Sequence, residues 1–505
     1  MSNWSRAATA ATLAATIGGW GLAVLAPRDF TLGTFQDDAQ YAVLAKAIRE
    51  QHTYRNLNFP GRPPELKFAP GWPAVLALAW RPGEPDTVNL ERLRAVNLVV
   101  AGPLAGAVAA AGVAVFGLAP ALSAVAAVAA VATPAVMVWW TIPMSEPLCL
   151  ACLAVALLLA ASGRPRSAAA AAAVAVWVRS IAAPFLVALV AVEWWKGGWR
   201  RALQPAVIGF GLLLPWAVWI AVHRADVPSV LANAGYGTYA AFYGQGLQAT
   251  PATMLLTVPY VNAPMVVRAL GEALLGWRWA PRLVETALGL GLIALVALGA
   301  RRRPVLAVGL ALYAAVVLFW PFPQEDRFVG SVWPLLLLAA LAGLPWLGVR
   351  VGVVAVAALA AALAFGRGEG VRLHRQRSRG TLELLDSVRP RIPPGAVVAT
   401  SNPPLVYLRL GNPTVVSWRE RSYRWYRDGF WARAWGLGDD LWDVVRTYRP
   451  DYLIIERRGA EGRYAAGSLM RQCPGVLRQI WSTPRDEYLF AIHAGEPCAP
   501  VSVEP

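Results

Sequence analysis

Charge is the scarcest commodity in this chain. Acidic and basic residues together make up 15% of its 505 residues, where a soluble domain carries roughly 25%. Between Ala95 and Ser145 there is not one Asp, Glu, Lys or Arg. A charge-free apolar run beyond about 18 residues reads as membrane-spanning, and this one is long enough for two spans. Lysine is almost missing: Lys46, Lys67 and Lys196 stand alone among 46 basic residues. Four histidines and four cysteines show no zinc-ligand spacing. No internal repeat of fixed period and no phosphate-cradling glycine loop is present. A soluble enzyme, a secreted disulfide scaffold, a coiled coil and a disordered chain are all excluded.

What is present is 57% apolar residues and a mean hydropathy of +0.46. Spans are expected at 7–27, 95–117, 119–139, 147–162, 167–179, 181–195, 203–222, 283–300, 304–320, 328–347 and 351–366, about eleven in all. The first polar stretch, 28–94, carries a helix over Asp38–Glu50 and a short apolar helix over Phe68–Trp80 at the interface. The net charge of +16 would suggest nucleic acid in a soluble chain. Here the basic residues fall in short loops, where positive charge sets orientation instead. Arg6, Arg164 with Arg166, Lys196 with Arg200 and Arg201, Arg301–Arg303 and Arg350 lie on one side if the spans alternate. That side is then cytoplasmic, with the N-terminus. Loops 28–94, 140–146, 223–282 and 321–327 face outward, as does the tail, in a multi-pass protein of the inner or plasma membrane.

The tail from about Arg367 differs in composition, with 21 Arg, 15 acids and no Lys. Short β-branched or aromatic runs at 396–399, 414–416, 451–455 and 488–492 alternate with helical patterns at 380–389 and 439–448. This suggests a small α/β domain. The chain divides into a transmembrane domain, 1–366, and an extracytoplasmic domain, 367–505. Cys149 and Cys152 form a C-x-x-C inside an apolar run, where small residues pack within a helix. Cys473 and Cys498 lie in the tail and could pair in an oxidising compartment.

The most informative segment is Phe35-Gln36-Asp37-Asp38-Ala39-Gln40-Tyr41, directly after the first span. One reading makes an aspartate the cap of the following helix. The other makes the adjacent carboxylates functional, because His52, Tyr54, Lys67 and Phe68-Ala69-Pro70-Gly71-Trp72-Pro73 follow in the same loop. Charges and aromatics beside an apolar re-entry suit a substrate that is half lipid and half sugar. Glu146 stands alone after a long neutral stretch, and an isolated acid at the outer end of a span is costly to desolvate.

Asp37-Asp38-Ala39-Gln40-Tyr41-Ala42-Val43-Leu44-Ala45 resembles the Asp-Glu-Ala-x-Tyr-Ala-x-x-Ala pattern opening the first outer loop of GT-C glycosyltransferases. The likeness is to family 39-like enzymes, which include protein O-mannosyltransferases and lipid A aminoarabinose transferases. Lys67 through Pro73, Ser145-Glu146, Arg179 and Gln324-Glu325-Asp326-Arg327-Phe328 follow in the family's order. The chain departs from the pattern with Asp at 38 instead of Glu and Phe at 328 instead of Tyr. The resemblance implies a GT-C-like polytopic α-helical membrane protein with a small C-terminal extracytoplasmic α/β domain. Its donor would be a polyprenyl-phosphate-linked sugar, its acceptor a hydroxyl on a glycan, lipid or protein, and its outcome inversion. Asp37 would be the general base with Asp38 orienting or coordinating; Lys67, Arg327 and Arg179 would take the leaving phosphate. Glu146, Tyr41, Trp72 and Glu325 would touch sugar or acceptor. A divalent cation is possible, but two carboxylates are too few ligands to identify one. A membrane transporter and a non-catalytic envelope-assembly protein are the alternatives.

Overall fold

The computed structural model of the protein describes residues 5–25, 32–33, 35–133, 136, 139, 142–249, 251–275, 281–320, 326–344, 380–417, 440–456 and 460–495. Its first part is a helical bundle. In chain order the helices are α1 (Arg6–Leu25), α2 (Asp37–Gln51), α3 (Gly71–Ala79), α4 (Asp86–Ala114), α5 (Pro120–Ala132), α6 (Glu146–Ala161) and α7 (Pro165–Val178). Then come α8 (Ala183–His223), α9 (Tyr239–Ala249), α10 (Val258–Leu275), α11 (Arg282–Ala300), α12 (Pro304–Leu318) and α13 (Asp326–Ala342). Small residues set the packing, as expected where lipid gives helices no hydrophobic reason to associate and close backbone approach must supply the contact. A Cβ at Gly19 of α1 would lie 2.7 Å from the Ala101 carbonyl oxygen of α4, and one at Gly289 of α11 only 1.9 Å from that of Val267.

Five described helices are long and apolar enough to cross a membrane: Arg6–Leu25, Asp86–Ala114, Ser180–His223, Thr253–Leu275 and Arg282–Ala300. Shorter apolar helices accompany them. The expected spans at 181–195 and 203–222 form the two arms of α8, broken where Gly197 and Gly198 leave helical geometry and Gly198 takes φ +69°. The span expected at 351–366 lies outside the described residues, as does the boundary between the two domains.

The segment 223–282, expected to be an outer loop, is a correction. It is largely helical and includes the apolar stretch Thr253–Leu275. Periodicity missed it because proline and glycine interrupt the apolar pattern. It does not reverse the later loops, however. Near His223, Trp219 donates to the Glu65 carbonyl, in the loop that precedes α3. Arg302 and Arg303, by contrast, share a cavity with Lys196 and Ala161. That places the end of α8 and the end of α11 at opposite ends of the bundle, so an odd number of passages separates them. Lys196, Arg302 and Arg303 thus gather at the end remote from the start of α2.

The second part is an α/β unit. Helix 380–388 leads to β1 (Val398–Thr400), α15 (Pro403–Leu410; α14 being 380–388) and β2 (Thr414–Val416). Helix α16 (440–448), β3 (Tyr452–Ile455), α17 (Ala460–Gln472), β4 (Leu477–Ser482) and β5 (Tyr488–Ile492) complete it. The sheet order is β2-β1-β3-β5-β4. β1 runs parallel to β2 and β3, with Val398 opposite both Thr414 and Tyr452, while β5 is antiparallel to β3 and β4. The apolar strands were legible in sequence; β4 was not, because it is an edge strand with Arg478, Gln479 and Ile480 all exposed.

Candidate active site

The site forms where α2, α6, α7 and α13 meet at one end of the bundle. Helix α2 starts at Asp37, after Gln36 adopts φ +64°. Gln36 is held there through a hydrogen bond from Nε2 to the Tyr236 hydroxyl, 2.9 Å. The cap position of α2 falls on Gln36, whose side chain makes no capping bond, and Asp37 is the first helical residue. Its Oδ2 accepts Arg327 Nη2 at 2.7 Å. Arg327 also donates through Nε to Glu146 Oε1 at 3.0 Å, and the same oxygen lies 3.0 Å from Arg179 Nη1. Arg179 donates to Ser145 Oγ as well, 3.1 Å, and Ser145 Oγ is 3.0 Å from the Tyr41 hydroxyl.

Helix ends explain part of this. Glu146 starts α6 and Arg179 follows the last residue of α7, so each complements its helix dipole. Arg327 does the opposite: a cation in the first turn of α13 opposes the dipole. Two carboxylates hold it there, so its position answers to the cluster and not to its helix.

Asp37, Lys67, Arg179 and Arg327 line a cavity of about 530 Å3 whose remaining wall includes Phe319 and Trp320. Lys67 Nζ lies 5.3 Å from the Phe68 ring and 5.8 Å from that of Tyr239, within cation–π range. Burial alone would raise the pKa of Asp37, but the positive charges of Arg327, Lys67 and Arg179 outweigh it and hold the carboxyl below its ordinary range. Burial pushes the Tyr41 phenol well above its ordinary value, so it stays a neutral hydroxyl.

The other expected site residues are placed as follows. Asp38 does not share the cavity: it is fully buried, and its oxygens accept the N–H groups of Gly33 (2.5 Å) and Phe35 (3.2 Å). Burial first, then repulsion from Asp37, raises it to about 6 against those hydrogen bonds. It braces the loop, as neighbouring helical residues must point about 100° apart. Glu146 is also fully buried, so it holds Arg179 and Arg327 from behind instead of presenting an oxygen to a sugar. Trp72 offers no ring face either; it is wholly enclosed and donates Nε1 to the Pro143 carbonyl, 2.8 Å. Tyr41 does line the cavity. Glu325 lies outside the described residues. Cys473 is disulfide-bonded, while Cys498 lies outside the described residues.

Sequence reasoning missed Glu65, whose Oε1 accepts the N–H groups of Lys67 (2.6 Å) and Phe68 (3.0 Å) and so shapes the turn carrying Lys67. An acid two residues before a lysine gives no distinctive signal. It also missed Tyr239 and Tyr243, which line the cavity from α9. Among the described residues no group of three or more His, Cys, Asp or Glu comes together as a metal site. Asp37 Oδ2 is engaged by Arg327, and both oxygens of Asp38 by backbone N–H groups.

No protein-family model and no curated sequence matches the chain. The fold does match solved structures. The crystal structure of ArnT from Cupriavidus metallidurans bound to undecaprenyl phosphate superposes with a TM-score of 0.52. The match covers 96% of this chain and 98% of that one at 13% identity. The chain shares the fold of that structure. The apo form of the same ArnT gives a TM-score of 0.45 at 14% identity over 90% of this chain and 93% of that one. A bundle of apolar helices followed by a small sheet domain is as the sequence led us to expect. At this identity the likeness concerns architecture and assigns no residue a role.

Proposed function

We propose that the chain is a membrane glycosyltransferase that moves a hexosyl or pentosyl group from a polyprenyl-phosphate carrier to an acceptor hydroxyl on the outer face. The observation carrying this reading is the convergence of Lys67, Arg179 and Arg327 with one carboxylate among the described residues, Asp37, in a cavity with an aromatic wall. Cations suit the phosphate, apolar rings suit the prenyl chain, and the carboxylate suits a proton. That ArnT binds undecaprenyl phosphate supports extending a carrier of this kind to the present chain.

In the proposed reaction the acceptor oxygen attacks the anomeric carbon while its proton passes to Asp37. The bond between that carbon and the phosphate oxygen breaks, its electron pair leaving with the lipid phosphate. One displacement inverts the anomeric centre. Lys67 gives a compact charge and Arg327 a planar fork for the leaving oxygens. Removing one such donor typically costs about 3–4 kcal/mol of barrier. The basic end formed by Lys196, Arg302 and Arg303 is placed in the cytoplasm and the cavity and α/β unit outside, in the inner membrane. A disulfide at Cys473 accords with an oxidising exterior.

A transporter would put its charges near the bilayer midplane, whereas this cluster sits at helix ends. An assembly protein would need Asp37 only as a helix cap, whereas the cap position falls on Gln36 and Asp37 is turned to Arg327. The test is a screen of undecaprenyl-phosphate sugars with purified protein in nanodiscs. Transfer from at least one donor, lowered about 10²- to 10⁴-fold in Asp37→Asn, is expected; no turnover of any lipid-linked sugar with any hydroxyl acceptor would end the proposal.

A further inference from the structure

The α/β unit does more than flank the cavity. Asn402 follows β1 and caps α15, its Oδ1 accepting Leu405 N–H at 3.4 Å. That turns its amide NH2 outward, where Nδ2 donates to the Gly33 carbonyl at 2.8 Å. The N–H of the same Gly33 donates to Asp38 Oδ2. Gly33 stands at φ +94°, and a Cβ there would lie 2.7 Å from Leu405 Cδ2. Only glycine satisfies both the backbone angle and that close approach. A second tie lies nearby: Thr414, the first residue of β2, donates through N (2.7 Å) and Oγ1 (3.1 Å) to the carbonyl of buried Asn58. One carbonyl ahead of α2 and one behind it are thus gripped by residues at the ends of adjacent parallel strands.

We propose that Asn402 is a positioning residue for the transfer reaction, holding Gly33 so that Asp38 anchors the start of α2 and Asp37 faces Arg327. This rests on the glycosyltransferase reading. The relay is short: Asn402 to Gly33, Gly33 to Asp38, and Asp38 covalently next to Asp37. Asp38 has no freedom to compensate, since the loop N–H groups engage both of its oxygens. If Gly33 shifts, the carboxyl of Asp38 loses a partner in a fully buried place, and the first turn of α2 turns with it. Misplacing a reacting group by about 1 Å can cost a hundredfold in rate. The outer unit therefore sets the aim of the base without touching substrate.

Asn402→Asp is the sharpest test. It keeps an oxygen to cap α15 and replaces the donor facing Gly33 by an acceptor, so the two oxygens repel. Expected are a fall in kcat of about 10- to 100-fold, an unchanged donor KM because Lys67, Arg179 and Arg327 are intact, and faster hydrogen exchange at the amides of Gly33 and Phe35. Asn402→Ser, whose hydroxyl still caps but is too short to reach Gly33, should act alike and serves if the aspartate variant does not fold. Wild-type kcat with unchanged exchange in a folded variant would overturn the inference, as would an equal loss in KM and kcat. The exchange measurement needs no turnover. An inactive wild-type protein would therefore sink the transferase reading, while wild-type exchange alone would sink the role of Asn402.

Discussion

Asp37 and Arg327 are 290 positions apart in sequence and share an ion pair of 2.7 Å. The proposed base is therefore held by one of the cations proposed to receive the phosphate. Arg327 divides its guanidinium between Asp37 and Glu146, and Glu146 shares its Oε1 with Arg179. A phosphate entering the cavity competes with Asp37 for Arg327 and offsets the field of Lys67. Donor binding and release of the base are then one event, which discourages proton transfer before the sugar is in place.

This coupling predicts a displaced pH profile. In the free protein the cations keep Asp37 below its ordinary carboxylate range, so the acid limb of kcat/KM for the donor should lie below pH 3.8. The bound donor's phosphodiester, a monoanion, cancels part of that positive field and raises the pKa, so the acid limb of kcat should lie at higher pH. Rates measured across pH at saturating and sub-saturating donor check the sign; coincident limbs would contradict it. Asp37→Asn should lower kcat by about 10²- to 10⁴-fold and remove the limb.

Arg327→Ala should lose two things together. Transition-state stabilisation falls by about 3–4 kcal/mol, near a hundred- to thousandfold in rate. Stability also falls, because Glu146, with no exposure, loses one of its two cationic partners. Arg327→Lys keeps the charge but cannot span both carboxylates as a fork. It should restore much of the thermal stability and little of the rate, a split that melting curves beside single-turnover kinetics will resolve.

Sequence order went far for the charges and less far for their orientation. Asp37, Lys67, Glu146, Arg179 and Arg327 each mark the polar boundary of an apolar segment, and such boundaries at one end of a bundle are neighbours in space. That is why they could be chosen together. The resemblance gave Asp37 the base's place, but the burial of Asp38 against the N–H groups of Gly33 and Phe35 is seen only in the fold. Trp72 was misjudged because an aromatic in a polar loop looks exposed until the fold of α3 against the Ile142–Met144 turn encloses it. The helices within 223–282 escaped because their proline and glycine interrupt the apolar period, and β4 because an edge strand has one face in water.

Asp38 should leave a signature in stability against pH. Its carboxyl is raised from 3.8 to about 6 in the fold, chiefly by burial. The folded state thus holds this proton more tightly than the unfolded chain, and its contribution to stability is lost as pH rises from about 4 through about 6. The size is on the order of 2–3 kcal/mol. Asp38→Asn, which keeps an acceptor oxygen but no titratable proton, removes the effect. The melting temperature of the variant relative to wild type should therefore be more favourable at pH 7 than at pH 4. An equal difference at both values would mean that Asp38 is ionised throughout.

Gly71 offers a test of how the two cationic walls are spaced. It opens α3, four residues after Lys67, and a Cβ there would lie 2.5 Å from the carbonyl oxygen of Trp177 and 3.1 Å from the Val178 nitrogen. These are backbone atoms at the end of α7, immediately before Arg179, so neither can yield as a side-chain tip would. Gly71→Ala must push α3 and the Lys67 turn away from Arg179. Overpacking of this kind costs about 1–3 kcal/mol, enough to lower the melting point without unfolding the bundle. The consequence for function should be larger than for stability: separated cations bind one phosphate less well, so donor affinity falls while the Asp37–Arg327 pair is left alone. Titration with a soluble short-chain prenyl phosphate, followed by thermal shift, measures this directly, and wild-type affinity in Gly71→Ala would show that Lys67 and Arg179 do not act on the same anion.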